Sequence, residues 1–167
     1  MSGLKARGFT LPELIIVMVV MGIVAAAAAP SLVQWNSIDE LGFRDDLRAM
    51  LRHAQRLAVA QNRDVCVLLS PAAGAAQALY GAGNVCDAAA PVVDPTDGQP
   101  YTIQAPKGLA LVAQQVYFTK GTGALWPTPG GNPSRQGLTI GSLPAPALWV
   151  HSETGFVECN TGSALVC

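Results

Sequence analysis

Hydrophobic residues are concentrated in one uninterrupted stretch near the start of the chain. Residues 14–38 are 25 consecutive residues without a charge, and the first 20 of them are almost all Leu, Ile, Val, Met or Ala. At roughly 1.5 Å per residue, a helix of this length extends about 37 Å, whereas the hydrocarbon core of a bilayer is about 30 Å thick. The pattern therefore predicts a helix that spans a membrane.

A second helical pattern follows directly, with a different character. Its apolar residues recur at steps of three and four, which is the spacing of one face of an amphipathic helix. No proline occurs between Ser31 and Pro71, and Pro30 is expected to bend a helix rather than end it. We therefore expect one long helix from about residue 9 to residue 61, with its second half packed on a domain. The apolar positions of this half are Leu41, Leu47, Met50, Leu51, Ala54, Leu57 and Ala58.

The rest of the chain alternates between short β-type segments and turn-rich segments. Residues 71–98 are rich in Ala, Gly, Pro and Asp, and residues 119–135 are rich in Gly and Pro, so both are predicted to be loops. Between them, β-branched and aromatic residues predict strands. A long helix followed by antiparallel strands is an α+β fold. The predicted strands are 64–70, 101–104, 109–118, 137–140, 148–151 and 155–159.

Composition and net charge exclude two classes of protein. Half of the residues are hydrophobic and 13% are charged, which excludes a disordered chain. The formal net charge of −1 excludes a nucleic-acid-binding protein that relies on bulk charge. Lys5 and Arg7 precede the apolar stretch, and positive charge there favours a cytoplasmic N-terminus. We expect a single-pass membrane protein whose chain from about Asn36 onward is periplasmic or extracellular.

The residues at the start of the apolar stretch form a specific motif. Glu13 places a carboxylate inside the start of the expected membrane helix, where an unpaired charge is costly. With Gly8 and Phe9 before it, the segment GFTLPELIIVMVVMGIVAAAAAP resembles the N-terminus of the type IV pilins and of the type II secretion pseudopilins. The resemblance implies that a prepilin peptidase cleaves the Gly8–Phe9 bond and N-methylates Phe9. It also implies that Glu13 pairs with the α-amine of a neighbouring subunit.

The same resemblance implies a division of the chain and a role. Residues 1–8 are expected to be the leader peptide, residues 9–35 the transmembrane and filament-core helix, and residues 36–167 a periplasmic pilin-like domain. The expected function is that of a minor pilin or pseudopilin, a structural subunit that primes or caps a type IV pilus or a type II secretion pseudopilus. Its expected partners are other subunits, the prepilin peptidase and the inner-membrane assembly machinery.

Weaker likenesses in the domain point to one branch of this family. Residues 54–70, 116–123 and 149–157 resemble pseudopilin H and the FimT-type minor pilins. The FimT-type proteins that bind DNA carry G-R-x-R near the C-terminus, where this chain has Gly155, Phe156, Val157 and Glu158. Both arginines are absent, and the carboxylate would repel phosphate. A DNA-binding minor pilin for DNA uptake is therefore the alternative, and nucleic acid is not the expected partner.

Four arginines recur at every fourth position of the second helical segment, which places them near one face. A solvated face with intrahelical ion pairs is the favoured interpretation. The alternatives are contact with an acidic neighbouring subunit, with anionic headgroups or with DNA. The arginines are Arg44, Arg48, Arg52 and Arg56, and the expected pairs are Glu40–Arg44 and Asp45–Arg48.

The four cysteines suggest disulfides. No C-x-x-C spacing is present, so zinc or thioredoxin-like chemistry has little support. In an oxidising periplasm, an even number of cysteines indicates two disulfides. Proximity along the chain favours Cys66–Cys86 and Cys159–Cys167, and the second resembles the C-terminal disulfide loop of many pilins. A crossed pairing such as Cys66–Cys159 stays open.

No motif for catalysis is present in the sequence. His53 and His151 are far apart, and the chain has no G-x-S-x-G segment, no P-loop and no dinucleotide-binding glycine pattern. We therefore expect a structural and interaction protein rather than an enzyme, with no catalytic residue, no cofactor and no metal.

Overall fold

Two helices open the chain. The computed structural model describes residues 10–28, 35–83, 85–125, 135–141, 143 and 146–160. Helix α1 comprises Leu11–Ala28 and helix α2 comprises Trp35–Ala60. The bend expected at Pro30, within one continuous helix, lies outside the described residues. The chain divides into two units, Met1–Ile38 and Asp39–Cys167.

Helix α2 is amphipathic, as its sequence pattern predicts. The apolar face of the helix is buried, whereas Asp45, Asp46 and Arg56 on its other side are exposed. The helix ends at Ala60, and Asn62 follows with a positive φ of 50°, a conformation in which helices commonly terminate. The buried residues of this face are Phe43, Leu47, Met50, Leu51, Ala54 and Ala58.

A five-stranded antiparallel sheet follows α2. It consists of β1 (Val65–Ser70), β2 (Ala75–Ala82), β3 (Val85–Pro91), β4 (Thr102–Gln104) and β5 (Gln114–Phe118). The strands are ordered β3-β2-β1-β5, and β4 also pairs with β2. The expected strand 109–118 is therefore shorter in the structure, and Leu111 makes only an isolated bridge to Ile140.

The prediction that residues 71–98 form a loop is wrong, because this segment contains β2 and β3. Strand β2 is rich in alanine and glycine, and its small side chains fit a crowded position between two neighbouring strands. A Cβ atom at Gly81 would lie 2.5 Å from the ring of Tyr117. Tertiary packing thus favours a strand that local propensity disfavours.

A second antiparallel sheet contains β6 (Arg135–Leu138), β7 (Leu148–His151) and β8 (Val157–Cys159), in that order. Of the predicted loop 119–135, residues 126–134 lie outside the described residues, and Arg135 already belongs to β6. One hydrophobic core joins the two sheets to α2 through residues such as Val67, Phe118, Leu138 and Val150. The α+β class expected from the sequence is confirmed.

Candidate assembly surfaces

The predicted processing and assembly residues lie at the start of α1. Gly8 and Phe9 are outside the described residues. Glu13 lies in the first turn of α1, where its Oε2 accepts a hydrogen bond of 3.5 Å from the backbone N–H of Thr10. A carboxylate at this end of a helix is favoured by the helix dipole. Glu13 thus contacts the backbone at the start of its own helix.

The large apolar side chains of α1 from Leu11 to Val24 are exposed. They point in all directions around the helix axis, which is typical of helices whose whole circumference is covered by lipid or by other helices. Within the described residues, no helix combines the length and the apolar character that crossing a membrane requires. The exposed residues are Leu11, Leu14, Ile15, Ile16, Val17, Met18, Val19, Val20, Met21, Ile23 and Val24, with exposed fractions of 46–74%.

The first arginine of the row on α2 is not solvated. Only 6% of Arg44 is exposed, and its Nη2 lies 2.9 Å from Oδ1 of Asp45. Its Nε donates to the same oxygen at 3.1 Å. The interpretation of the row as a solvated face is therefore wrong at Arg44, whose charge is neutralised by its sequence neighbour beside the core.

The remaining arginines of the row differ from one another. Nε of Arg48 is buried and has no hydrogen-bond partner among the described residues. Arg52 donates from Nη2 to the carbonyl oxygen of Val157 at 3.3 Å, and its guanidinium lies 5.9 Å from the centre of the Phe156 ring. Arg56 is exposed. The row thus changes from core contact to solvent as α2 proceeds.

The segment that replaces the G-R-x-R pattern lies in and beside β8. Phe156 is 51% exposed. Oε1 of Glu158 lies 3.5 Å from Nη1 of Arg135 and 3.1 Å from Nε2 of His151. Arg135 also stacks on Trp149, 4.0 Å from its ring centre. This cluster was not expected from the sequence, because its members come from three strands and carry no local motif.

The turn between β7 and β8 is held against α2 and against the loop after β5. The side-chain amide of Gln55 donates to the carbonyl of Thr154, and the N–H of Leu125 donates to the carbonyl of Ser152 at 2.8 Å. Gly155 has a positive φ of 65°, and a Cβ atom there would lie 2.1 Å from the carbonyl oxygen of Gly123. The position of Phe156 therefore depends on a close glycine contact.

The structure contains one of the expected disulfides. Cys66 on β1 is bonded to Cys86 on β3, with Cα atoms 5.8 Å apart. This bond connects the two strands that flank β2. Cys159 is also disulfide-bonded, whereas Cys167 lies outside the described residues. The crossed pairing Cys66–Cys159 is excluded by the observed bond.

Two ionisable side chains near α2, Tyr101 and Asp94, have shifted pKa values. Burial raises the pKa of Tyr101, and the nearby carboxylates of Asp94 and Asp46 raise it further. Hydrogen bonds from the hydroxyl and the N–H of Thr96 lower the pKa of Asp94. His53 contacts the Tyr101 ring edge-on at 5.6 Å. In the described part of the chain, no three His, Cys, Asp or Glu side chains are arranged to hold a metal ion.

Comparison with known proteins gives one sequence match and one structural likeness. A family model described as "Prokaryotic N-terminal methylation motif" matches residues 4–29. No curated protein matches the chain. Among solved structures, the chain is similar to the crystal structure of the type IV minor pilin FimU from Pseudomonas aeruginosa strain PAO1. The sequences are 18% identical, the match covers 70% of this chain and 84% of the FimU chain, and the TM-score is 0.42.

Proposed function

We propose that the chain, which carries the N-terminal methylation motif over residues 4–29, is a minor pilin or pseudopilin of the type IV pilin superfamily. In this role it primes or caps a type IV pilus or a type II secretion pseudopilus. The observation that carries the proposal is the motif itself, with Glu13 in the first turn of an otherwise apolar helix. The protein acts by assembly and not by catalysis.

The proposed assembly begins in the inner membrane. The apolar stretch anchors the chain, and Lys5 and Arg7 keep the N-terminus in the cytoplasm. A prepilin peptidase cleaves between Gly8 and Phe9 and methylates the new amine of Phe9. The exposed apolar side chains of α1 then exchange lipid for the helices of neighbouring subunits.

Glu13 sets the axial position of the subunit in this proposal. In an apolar helix bundle, a carboxylate attracts an ammonium group far more strongly than in water, and an unpaired carboxylate there is costly. Glu13 therefore pairs with the Phe9 amine of a neighbour only when the two helices have the correct axial offset. The remaining apolar contacts allow many offsets, so the charge pair selects one of them.

The cleavage site is tested by Gly8→Leu, with Gly3→Leu as the matched control. The peptidase must fit a small side chain beside the cut, so Gly8→Leu should retain the eight residues of the leader, whereas Gly3→Leu should be cleaved like the wild type. Intact-mass measurement of the membrane-extracted protein distinguishes the two. Normal cleavage of Gly8→Leu would show that the site is assigned to the wrong bond.

The assembly role is tested by Glu13→Val, with Glu13→Asp as the variant that keeps the charge. Glu13→Val should remain in the membrane, because it removes a charge from the apolar helix, but it should be lost from sheared filaments when wild-type subunits compete. Glu13→Asp should be incorporated more efficiently than Glu13→Val. Equal incorporation of Glu13→Val and wild type would remove the pairing role.

Capture of DNA is the second candidate, favoured by arginines stacked on half-buried aromatic rings. Arg63 lies 3.8 Å from the ring centre of Tyr80, and Arg135 stacks on Trp149. Against it, the chain from Asp39 onward has eight Lys and Arg but ten Asp and Glu residues. Titration with duplex DNA at about 50 and 200 mM salt distinguishes DNA capture from a purely structural role. Micromolar binding that weakens steeply with salt would favour DNA capture over a purely structural role.

A further inference from the structure

The Cys66–Cys86 disulfide joins two strands that are not neighbours in the large sheet. Strand β2 lies between β1, which carries Cys66, and β3, which carries Cys86. In a flat sheet, two strand spacings would separate such residues by about 9.5 Å, whereas their Cα atoms are 5.8 Å apart. Sγ of Cys86 also lies 3.8 Å from Oε1 of Gln115 on β5, at the opposite edge of the sheet. Strand β3 therefore folds back over one face of the sheet.

The face beneath β3 is apolar and points away from α2. Along β1, Cys66 stands beside Leu79 of β2 and Tyr117 of β5. These three side chains are at most 5% exposed and form a hydrophobic cluster separate from the main core, which contains the apolar face of α2. Two half-buried side chains, one of them on β3, pack against this cluster. We call Cys66, Leu68, Leu79, Cys86 and Tyr117 the outer cluster.

Strand β3 has few other attachments to the domain. All seven of its residues are described, and none of them belongs to the main hydrophobic core. Its pairing with β2 joins Val85 and Cys86 at one end and Pro91 at the other, with a shift of register between them. Val85 is 62% exposed, and residues 87–89 are exposed as well. Because a segment with so few buried apolar contacts opens at low cost, the disulfide is the main link that holds β3 on the outer cluster.

We propose that β3 is a redox-sensitive flap over the outer cluster, held closed by the Cys66–Cys86 disulfide. While the bond is intact, β3 shields the apolar side chains beneath it. When the bond is reduced, β3 detaches locally from β2, and Leu79, Tyr117 and the Cys66 thiol become accessible to solvent and to a partner. The rest of the domain stays folded, because the main core contains no residue of β3.

The two sulfurs differ in access, which determines how a dithiol opens the bond. Cys66 is 0% exposed, whereas Cys86 is half-buried, so an external dithiol reaches Cys86 first. Its thiolate attacks Sγ of Cys86, a mixed disulfide forms, and Cys66 leaves as a thiolate that takes up a proton. The second thiolate of the dithiol then attacks the dithiol's own sulfur in the mixed disulfide and releases Cys86, which is also protonated. The protein disulfide thus gains two electrons and two protons, and the dithiol is oxidised to a cyclic disulfide.

Thiol labelling of the full chain in detergent micelles tests whether β3 detaches without the bond. Cys86→Ser leaves the Cys66 thiol in the outer cluster. The matched control, Cys66→Ser/Cys86→Ser/Val67→Cys, places a thiol on the same strand but in the main core, where Val67 is 0% exposed. Because local opening costs less than global unfolding, a maleimide should label residue 66 at least about tenfold faster than residue 67. The rate at residue 66 should also be independent of urea below the unfolding transition.

Reduction of the native pair is measured separately, because a serine variant only imitates it. Cys159→Ser/Cys167→Ser removes the other two of the four cysteines and keeps the Cys66–Cys86 bond. Without reductant, this variant should take up no maleimide. After treatment with dithiothreitol and its removal, intact mass should show one fast label, on Cys86, and then a second at the rate measured for Cys66 in Cys86→Ser. Far-UV circular dichroism should stay unchanged, because only β3 detaches.

Three results would overturn the inference. One is equal, urea-dependent labelling of residues 66 and 67, since both thiols would then react only after global unfolding. Another is a reduced protein that keeps a single label, because β3 would then cover Cys66 without the bond. The third is loss of helical circular dichroism on reduction. Both measurements use the purified chain and do not depend on filament assembly, so this inference can fail while the proposed function stands.

Discussion

Gly155→Ala should destabilise the domain through a contact that the sequence does not reveal. Gly155 lies in the turn between β7 and β8 with a φ of +65°, and its added Cβ would lie 2.1 Å from the carbonyl oxygen of Gly123 and 2.9 Å from the Gln55 amide nitrogen. The nearest of these atoms belongs to backbone and cannot rotate away. The turn must therefore move from α2 and from the loop after β5.

The expected loss of stability in Gly155→Ala has two components, a backbone cost and a packing cost. Placing alanine in the left-handed region costs roughly 1–2 kcal/mol, part of which is offset because alanine lowers the entropy of the unfolded chain by about 0.4–1 kcal/mol. Overpacking adds about 1–3 kcal/mol, which gives about 2–4 kcal/mol for Gly155→Ala. Gly98 has a φ of +74° with no atom within 4 Å of an added Cβ. Gly98→Ala should therefore show the backbone cost alone, at about 1 kcal/mol.

Urea unfolding of the unit Asp39–Cys167, followed by circular dichroism, measures the difference. With an m-value of about 1.5 kcal/mol/M, the midpoint of Gly155→Ala should fall by about 1–3 M. The midpoint of Gly98→Ala should fall by less than about 1 M. If the two variants lose the same stability, the close approach of Gly155 to Gly123 does not exist in solution and the reasoning is refuted.

Three further outcomes are expected. Cys66→Ser/Cys86→Ser should lower the free energy of unfolding by roughly 3 kcal/mol in denaturant titrations, because the bond closes a loop over a sequence separation of 20. The folded pKa of Tyr101 is raised above its ordinary value of 10.0, so its contribution to stability is complete below that pH and is lost as the pH rises through the folded pKa. Tyr101→Phe should reduce the alkaline loss, and an unchanged pH profile would contradict the burial argument. Asp45→Asn should cost about 1–2 kcal/mol by leaving Arg44 buried without its carboxylate, whereas Arg44→Met/Asp45→Asn should cost less in thermal unfolding.

The sequence predicted those features that depend on neighbours within a few residues. The apolar face of α2, the strand Leu148–His151 and the α+β class all follow from periodicity and side-chain type, which act within single elements. The Cys66–Cys86 bond was favoured because the two cysteines are close along the chain. The motif around Glu13 was recognisable for the same reason, since its parts are contiguous.

Features that join distant segments were decided only by the tertiary structure. The segment 71–98 was predicted to be a loop because alanine and glycine have low strand propensity, yet β2 lies inside the large sheet, where Gly81 fits beneath Tyr117. Arg44 has the spacing of a solvated row but is buried. Glu158 was predicted only to repel phosphate, whereas in the fold its carboxylate contacts the side chains of Arg135 and His151. In each case the stabilising contact joins groups that only folding brings together. The local sequence pattern therefore determined the helices and strands, and tertiary packing determined which side chains contact one another.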